Sequence, residues 1–356
     1  MLSNKSKYDN VFQEFKMLEP EIQEFSRTLG IGAFGEVREV RINSKVFAAK
    51  LVEKEKGDNL EPEKLRGSNI IRIFKVSERK IFEKYYDLII MEKAVLKDIG
   101  TLFFCLCEKN GKNLLKLINT PINGIISDNL LRFFVKQIID GLETLERSEL
   151  VHFDIKPENL LITSGLNLKI SDFSFLKNLR RDTEEFKIPG GTHGFVPPEY
   201  FREDKINGEK AKKQDYFALG ATIYFLKFGH RLYKNKKSNE NRVIETKVID
   251  SLQTNIANIK SNLLLDKDFI HFLCGLIGYS PEDRPSFEEI YRNKWLNKTR
   301  KDIYNITQTI SDGDENKQMR ELIKSDYLIM KKKELRKCNK FTFKTIQKMK
   351  KNKIVL

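Results

Sequence analysis

The sequence predicts an α+β fold in which a small β-rich N-terminal lobe is joined to a larger α-helical C-terminal lobe. Short runs of residues with β propensity, separated by charged turns, extend from residue 25 to about residue 95. After Lys97, apolar residues recur at three- and four-residue spacing, which is typical of amphipathic helices. Hydrophobic residues make up 40% of the 356 residues, so the chain can bury a substantial core. Strands followed by helices therefore predict two segregated lobes.

The predicted elements follow one another in this order along the chain. The first twenty residues are mixed and polar, and we expect them to be a lead-in. Ser127 is a candidate N-cap for a long helix. The apolar face of that helix consists of Leu130, Leu131, Phe134, Val135, Ile138, Ile139, Leu142 and Leu145. The remaining predicted elements are strands at 42–52 and 87–91 and helices after Gln214, at 268–277 and at 286–295.

These elements divide the chain into three segments. Residues 1–24 form the lead-in, and residues 25–297 form one domain. Within that domain, the N-terminal lobe is expected at about 25–93 and the C-terminal lobe at about 94–297. A C-terminal extension, residues 298–356, ends the chain.

The positive charge is concentrated near the end of the sequence. Lysine and arginine (65) outnumber aspartate and glutamate (50), which gives a net charge of +15. Residues 331–356 contain ten lysines and Arg336 against the single acid Glu334, so this tail carries a net charge of +10. A basic terminal run is most often a solvated tail. The sharper interpretation is an interaction with a polyanion, either nucleic acid or an anionic membrane surface.

The remaining composition favours an intracellular protein. No run approaches the roughly 18 apolar residues of a membrane-spanning helix, so no transmembrane segment is expected. The amino terminus lacks the apolar core of a secretion signal. We therefore expect a cytoplasmic location, with a nuclear location through the basic tail as the alternative. The oligomeric state stays open. The four cysteines have no metal-binding or redox spacing and are interpreted as reduced structural thiols: Cys105, Cys107, Cys274 and Cys338.

A glycine-rich segment opens the predicted domain. Residues 29–37 read LGIGAFGEV, in which the glycines let backbone amides approach phosphate oxygens. The same glycine spacing occurs in dinucleotide-binding folds, but there a helix follows at once. Here residues 37–41 alternate like a strand, and the next run, 47–50, is a strand that ends in Lys50. This order favours a phosphate-binding hairpin.

The motifs that follow make the sequence similar to a known family. They are VHFDIKPENLLI at 151–162, DFS at 172–174 and PPE at 197–199. With the glycine-rich segment, these motifs in this order resemble the eukaryotic protein kinases of the serine/threonine type. The resemblance covers roughly residues 25–297 and implies the bilobal protein-kinase-like fold.

The resemblance implies a substrate, a metal and a role for each site residue. The nucleotide substrate would be ATP with Mg²⁺, and the acceptors would be serine or threonine hydroxyls of protein substrates. Asp154 would be the catalytic base, Lys156 would contact the γ-phosphate and Lys50 the α- and β-phosphates. Asn159 and Asp172 would be the metal ligands. The residues implied to surround the nucleotide are Leu29, Gly30, Gly32, Gly35, Val37, Ala48, Lys50, Glu61, Met91, Glu92, Lys93, Ala94 and Leu161.

Three further motifs resemble those of protein kinases rather than small-molecule kinases. Residues 190–195, GGTHGF, resemble the loop that binds the protein substrate. Asp215 matches the aspartate that holds the backbone of the catalytic loop. Arg284 is expected to pair with Glu199, because either charge would be costly to bury alone.

The sequence departs from the family pattern at two motif positions. Phe153 replaces the arginine that usually precedes the catalytic aspartate, and Ser174 replaces the last glycine of the metal-binding motif. In many relatives that arginine contacts a phosphorylated residue of the activation segment, for which Thr183 is the obvious candidate here. Phe153 cannot donate a hydrogen bond, so we predict activity that does not depend on phosphorylation of Thr183.

The glutamate expected to pair with Lys50 is assigned less directly. Residues 58–67 are predicted to form a short helix, capped by Asp58 and closed by Gly67. Glu61 fits the ion-pair position best, and it could instead complete a capping box with Asp58. The rival candidates for the ion pair are Glu63 and Glu55.

The sequence supports one function over two rival classes. The preferred hypothesis is an active serine/threonine protein kinase. The first rival is a pseudokinase that binds nucleotide or acts as a scaffold without phosphoryl transfer, and the shortened helix and Ser174 favour it. The second is a nucleic-acid-binding protein that works through its tail, but Phe341 and Phe343 alone do not form a stacking platform.

Overall fold

The computed structural model describes most of the chain up to residue 298. The described residues are 7–32, 35–54, 65–94, 98–101, 128–163, 166–179, 185–202, 205–233 and 241–298. The α-helices are α1 (Asp9–Leu18), α2 (Asp128–Arg147), α3 (Gly208–Phe228), α4 (Asn241–Ser261), α5 (Lys267–Leu276) and α6 (Phe287–Tyr291). The strands are β1 (Ile22–Gly32), β2 (Gly35–Ile42), β3 (Lys45–Lys54), β4 (Ile73–Ile81), β5 (Lys84–Met91), β6 (Leu150–Val151), β7 (Leu160–Ile162), β8 (Leu168–Ile170), β9 (Lys177–Asn178), β10 (Phe186–Lys187) and β11 (Lys205–Ile206).

The N-terminal lobe is a five-stranded antiparallel sheet with the strand order β1-β2-β3-β5-β4. The predicted strand 42–52 is divided, because Asn43 and Ser44 form the turn between β2 and β3, with φ of 47° and 64°. Successive side chains point to opposite faces of a strand. Ala48 therefore packs in a cluster on one face of the sheet and Ala49 in another cluster on the opposite face.

Helix α1 covers the outer face of this sheet, which is the face that carries Ala49. The sequence predicts a polar lead-in here, and this prediction is wrong, because the helix buries Val11, Phe12 and Phe15. These side chains pack in one cluster with apolar side chains of the sheet, among them Leu51. A helix shorter than about 12 residues is marginal in isolation, so packing on the sheet stabilises α1.

The C-terminal lobe is largely helical and contains the main core. Helix α2 buries the whole predicted apolar face, which confirms the periodicity of that segment. Helix α3 begins at Gly208, before the predicted start at Gln214, because the Asn207 side chain caps it by accepting from the backbone of Lys210. Trp295 is fully buried at the end of the lobe. The predicted division into a β-rich and an α-helical lobe is confirmed.

Several sequence predictions fall outside the described residues. They concern Glu55, Glu61 and Glu63, residues 58–64 of the predicted short helix, the Ser127 cap, Thr183, three of the four cysteines and the tail. The predicted helix does not extend to Gly67, because residues 65–67 are not helical. Cys274 is a free thiol. Within the described part of the chain, no helix is long and apolar enough to cross a membrane.

Candidate active site

The glycine-rich segment forms the turn end of the β1–β2 hairpin. Gly32 lies opposite Gly35, directly before and after the two residues at the tip. A β-carbon on Gly35 would lie 1.8 Å from the carbonyl oxygen of Leu51 on β3, so only glycine fits there. Gly30 has open space around its α-carbon, which leaves its backbone accessible to a ligand. Leu29, next to it, is 40% exposed.

An apolar cluster lies on the inner face of the sheet. Four of the residues implied to surround the nucleotide lie in this cluster: Val37, Ala48, Met91 and Leu161. Ile71 and Ile73, which the sequence analysis did not single out, complete its buried part. The chain continues from Met91 into residues 92–94, where the backbone N–H of Glu92 donates to the carbonyl of Arg72 at 2.8 Å. Lys93 Nζ pairs with Glu39 at 2.6 Å.

Lys50 connects the sheet to the motif at 172–174. Lys50 is buried, with 9% of the residue exposed. Its ammonium group forms an ion pair with Oδ1 of Asp172. It also donates to Ser174 Oγ at 3.1 Å, and that hydroxyl donates to Asp172 Oδ1 at 2.6 Å. Burial alone would raise the pKa of Asp172, but Lys50 and Ser174 more than offset burial and lower the pKa to about 2. Asp172 is therefore ionised at neutral pH.

Asp154 is the centre of a second polar network and is only 5% exposed. Its Oδ2 accepts from Lys156 Nζ at 2.6 Å and from Asn159 Nδ2 at 2.9 Å. Its Oδ1 accepts from the hydroxyl of Thr192 at 2.6 Å, and Lys156 also donates to that hydroxyl at 2.7 Å. A hydroxyl group and an ammonium group are therefore held together at this carboxylate.

A buried scaffold fixes the backbone that carries Asp154. Asp215 accepts hydrogen bonds from the backbone N–H groups of His152 at 2.7 Å and of Phe153 at 2.8 Å. Burial raises the pKa of Asp215 to about 7, although the two amide donors act in the opposite direction. His152 is fully buried, its Nε2 lies 3.0 Å from the carbonyl of Ser171, and burial lowers its pKa. The predicted role of Asp215 in holding the catalytic loop is confirmed.

The predicted ion pair between Arg284 and Glu199 is also confirmed. The two side chains are 0% and 1% exposed, and they form a bidentate pair with distances of 2.6 and 2.7 Å. Arg284 donates further to the carbonyls of Gly278 and Lys213. A buried guanidinium with this many acceptors is fully satisfied, so the pair ties the loop that carries Glu199 to α3 and to the end of α5.

Phe153 packs where the family pattern has an arginine. The residue is 4% exposed, and its ring lies 6.2 Å from that of Phe186 in an edge-to-face arrangement. The cluster around it consists of Val151, Phe153, Phe186, Ile206 and Ala211, with Phe175, Leu179 and Ile188 against it. The cluster joins the catalytic loop to both described parts of the segment that follows Asp172.

The donor set near Asp154 suits a hard divalent cation. The amide nitrogen of Asn159 donates to the backbone carbonyl of Asp154 at 2.8 Å and to the carboxylate of Asp154 at 2.9 Å. The amide oxygen Oδ1 of Asn159 is therefore available as a metal ligand. Asp172 supplies an ionised carboxylate. Mg²⁺ usually takes one or two such protein oxygens together with substrate phosphates and water. Among the residues described, no three histidine, cysteine, aspartate or glutamate side chains form a metal-binding cluster of their own. The residues therefore fit Mg²⁺ bound jointly with a nucleotide.

Two site residues carry contacts that the sequence analysis did not predict. Thr192 was singled out only as part of a substrate-binding loop, and its hydroxyl contacts Asp154 directly. Ser174 was interpreted as a departure from the family, and it contacts both Lys50 and Asp172. The sequence shows that both residues carry a hydroxyl, but which group each hydroxyl contacts depends on the fold.

Comparison with known proteins agrees with this geometry. Residues 23–296, well over half of the chain, match the family model for the protein kinase domain. The chain is 28% identical over 280 residues to G protein-coupled receptor kinase 4 of Rattus norvegicus, covering 74% of the chain and 46% of that relative. It is 32% identical over 165 residues to the probable serine/threonine-protein kinase ireA of Dictyostelium discoideum, covering 46% of the chain and 15% of the relative. It is 29% identical over 216 residues to 3-phosphoinositide-dependent protein kinase 1 of Rattus norvegicus, covering 59% of the chain and 36% of the relative. The chain spans less than half the length of these relatives.

Proposed function

Because the chain belongs to the protein kinase family, we propose that it is a serine/threonine protein kinase that transfers the γ-phosphoryl group of ATP to protein hydroxyls. One observation carries this proposal. The Asp154 carboxylate accepts simultaneously from a hydroxyl, that of Thr192, and from an ammonium group, that of Lys156, at 2.6 Å each. In phosphoryl transfer, the substrate hydroxyl needs a carboxylate and the charge of the phosphoryl group needs a cation, and Asp154 and Lys156 supply these two groups.

The nucleotide is held by elements that contact its two ends. The apolar cluster with Ala48 and Met91 offers a face for adenine, and the hairpin glycines let backbone amides approach the phosphates. Lys50 supplies a positive charge for the α- and β-phosphates, and its present partner Asp172 keeps it oriented toward them. These contacts align the γ-phosphorus for attack from the side of Asp154.

Asp154 positions the acceptor hydroxyl and takes its proton during transfer. A bond forms between the substrate oxygen and the γ-phosphorus, the bond from that phosphorus to the bridging oxygen breaks, and ADP leaves. Lys156 stabilises the negative charge on the phosphoryl oxygens, and Thr192 orients Asp154 through its hydroxyl.

Asn159 and Asp172 would hold Mg²⁺ through Oδ1 of the amide and through the carboxylate. The bound cation supplies neutralisation of phosphate charge. The contribution of this chain is orientation: the Asn159 nitrogen is fixed by Asp154, and Ser174 fixes one oxygen of Asp172.

The rival proposal is a pseudokinase that binds nucleotide without transfer. Its sequence support was Ser174 and the short helix at 58–67. The Ser174 hydroxyl donates to Asp172 at 2.6 Å and leaves the Lys50–Asp172 pair formed, so this departure does not support the rival.

Transfer of labelled γ-phosphate from ATP to a generic basic protein tests the proposal. Asp154→Asn should lower turnover by about 10²- to 10⁴-fold while nucleotide binding is retained, because the acceptor hydroxyl loses its base. Glu158→Gln is the matched control, since Glu158 lies in the same loop with a side chain that is 54% exposed. Asp172→Ala should weaken nucleotide binding in the presence of Mg²⁺ as well. Transfer by Asp154→Asn at the rate of the control, or none by the wild type, would contradict the proposal.

A further inference from the structure

The helix that precedes the matched family region is part of the N-terminal lobe. Helix α1 ends at Leu18, and the family match begins at residue 23. Phe12 and Phe15 are fully buried on the outer face of the sheet. The helix therefore has a defined position relative to the strands, and the polar side chains at its start face fixed partners.

A chain of polar contacts runs from the start of α1 to the glycine-rich hairpin. Asp9, in the first turn of the helix, forms an ion pair with Arg38 on β2. The guanidinium of Arg38 also lies 4.3 Å from the centre of the Phe12 ring and donates from Nε to Glu36 Oε1 at 2.7 Å. The same oxygen accepts from the hydroxyl of Thr28 on β1 at 2.8 Å.

The far end of this chain of contacts lies within the hairpin. Glu36 directly follows Gly35, pairs with Ile31 across the hairpin and has a fully buried side chain. Thr28 and Glu36 stand on the two opposite strands, so their hydrogen bond joins both arms of the hairpin. A buried carboxylate needs its cation, which Arg38 supplies while it contacts α1.

We propose that α1 positions the glycine-rich hairpin through the contacts Asp9–Arg38–Glu36–Thr28, so that docking of α1 and binding of nucleotide at the hairpin strengthen each other. This inference rests on the proposed function, because it assigns the hairpin to nucleotide binding. Asp9 and Arg38 are positioning residues, since they act on the nucleotide only through the hairpin.

The physical basis is preorganisation. Gly30 and Gly32 have open space around them, so this arm of the hairpin has many conformations to lose when it closes on phosphates. Joining the two arms close to the tip, through Thr28 and Glu36, removes part of this loss before the ligand binds, which increases affinity. Linkage then requires that nucleotide increases the stability of α1 docking by the same factor.

The test measures the dissociation constant of a fluorescent ADP analogue with Mg²⁺ present, using the full chain. Asp9→Asn keeps the size of the side chain and removes its charge, and it should weaken binding about fivefold or more. Glu14→Gln, a second neutralised acid on α1 outside these contacts, should bind as the wild type does. Equal constants for wild type and Asp9→Asn would overturn the inference alone. Absence of binding to the wild type would overturn the proposed function and the inference with it.

A double-mutant cycle separates this role from the effect of Asp9 on the helix itself. A carboxylate in the first turn also favours a helix through its dipole. If the contact with Arg38 carries the effect, Asp9→Asn should change binding much less in an Arg38→Lys background, because lysine lacks the planar fork that reaches both carboxylates. An unchanged effect in that background would overturn the proposal. Hydrogen exchange of the α1 amides should slow on addition of the ADP analogue in the wild type and not in Asp9→Asn.

Discussion

Replacing Phe153 with alanine should weaken the apolar packing of the segment after Asp172 on the catalytic loop. The ring of Phe153 is buried against that of Phe186, at 6.2 Å and an interplanar angle of 87°. Phe175 and Leu179 pack against the same cluster from the other described part of the segment. The catalytic loop contributes two residues to this small cluster, Val151 and Phe153. The side chain of Phe153 therefore carries much of the apolar contact between loop and segment.

The expected loss follows from this burial. Truncation of a buried phenylalanine to alanine costs about 3–5 kcal/mol, and the cluster has few other residues that could close the gap. Phe153 has a positive φ of 65°, which alanine does not relieve. A loss of this size should open the segment locally around Leu179 and Phe186, where short two-residue strand pairs are the other attachment. The hydrogen bonds of Thr192 and the ion pair of Glu199 should still hold its C-terminal part. We expect the rate of transfer to a peptide to fall at least tenfold, which corresponds to about 1.4 kcal/mol in barrier. Phe153→Leu, which keeps an apolar side chain, should retain most of the rate.

The same reasoning predicts that phosphorylation of Thr183 is dispensable. Thr183 lies outside the described residues, but the residue before Asp154 offers a phenyl ring in place of a cation, so it cannot balance a phosphate charge. Initial rates should be equal for wild type, phosphatase-treated wild type and Thr183→Ala, and low for Phe153→Ala. A fall of about tenfold or more shared by the phosphatase-treated protein and Thr183→Ala would refute this reasoning, as would a wild-type rate for Phe153→Ala.

Two further predictions concern pH and the tail. Burial holds the pKa of His152 below its ordinary value of 6.5, so below that pH the unfolded chain binds a proton that the folded chain does not. As the pH falls below 6.5, the free energy of unfolding of the wild type should therefore decrease relative to that of His152→Gln, by up to about 1.4 kcal/mol per pH unit. Urea titrations in which the difference between the two proteins does not change with pH would contradict this. Deletion of residues 331–356, with their net charge of +10, should abolish salt-dependent binding to anionic vesicles or nucleic acid and leave activity on a small peptide intact. Binding that is unchanged by the deletion would mean that the tail is only a solvated extension. Binding that persists when 1 M salt shortens the screening length to about 3 Å would mean that the charge of the tail does not drive it.

The sequence predicted the residues whose chemistry leaves little choice of side chain. The proposed phosphoryl transfer needs a carboxylate, cations and oxygen ligands at fixed offsets, so the motifs were sufficient to select Asp154, Lys50 and Asp172 as candidates. The pair of Arg284 with Glu199 was predictable for a related reason, since each buried charge requires the other. The long helical periodicity of apolar residues in α2 also predicted that helix and its buried face.

The contacts that depend on the assembled fold could not be predicted in this way. Helix α1 has a short apolar pattern in a polar segment, and its partner surface exists only when the five strands have assembled. Asp9 and Arg38 lie 29 positions apart, and neither belongs to a motif. Strand β4 and helix α4 also escaped the sequence analysis, because their polar faces dilute the periodicity.

The two departures from the family pattern have a common physical logic. At each position, the side chain that replaces the usual residue makes contacts that the usual residue would not make. Phe153 replaces an arginine, so the position loses a hydrogen-bond donor and gains apolar packing. Ser174 replaces a glycine, so the position gains a hydroxyl that donates to Asp172. A pseudokinase that binds nucleotide would also use the ion pair of Lys50 with an ionised Asp172, but it would not need the contacts of Thr192 and Lys156 with the Asp154 carboxylate. These contacts therefore favour a kinase with a different way of ordering its site over a scaffold without activity.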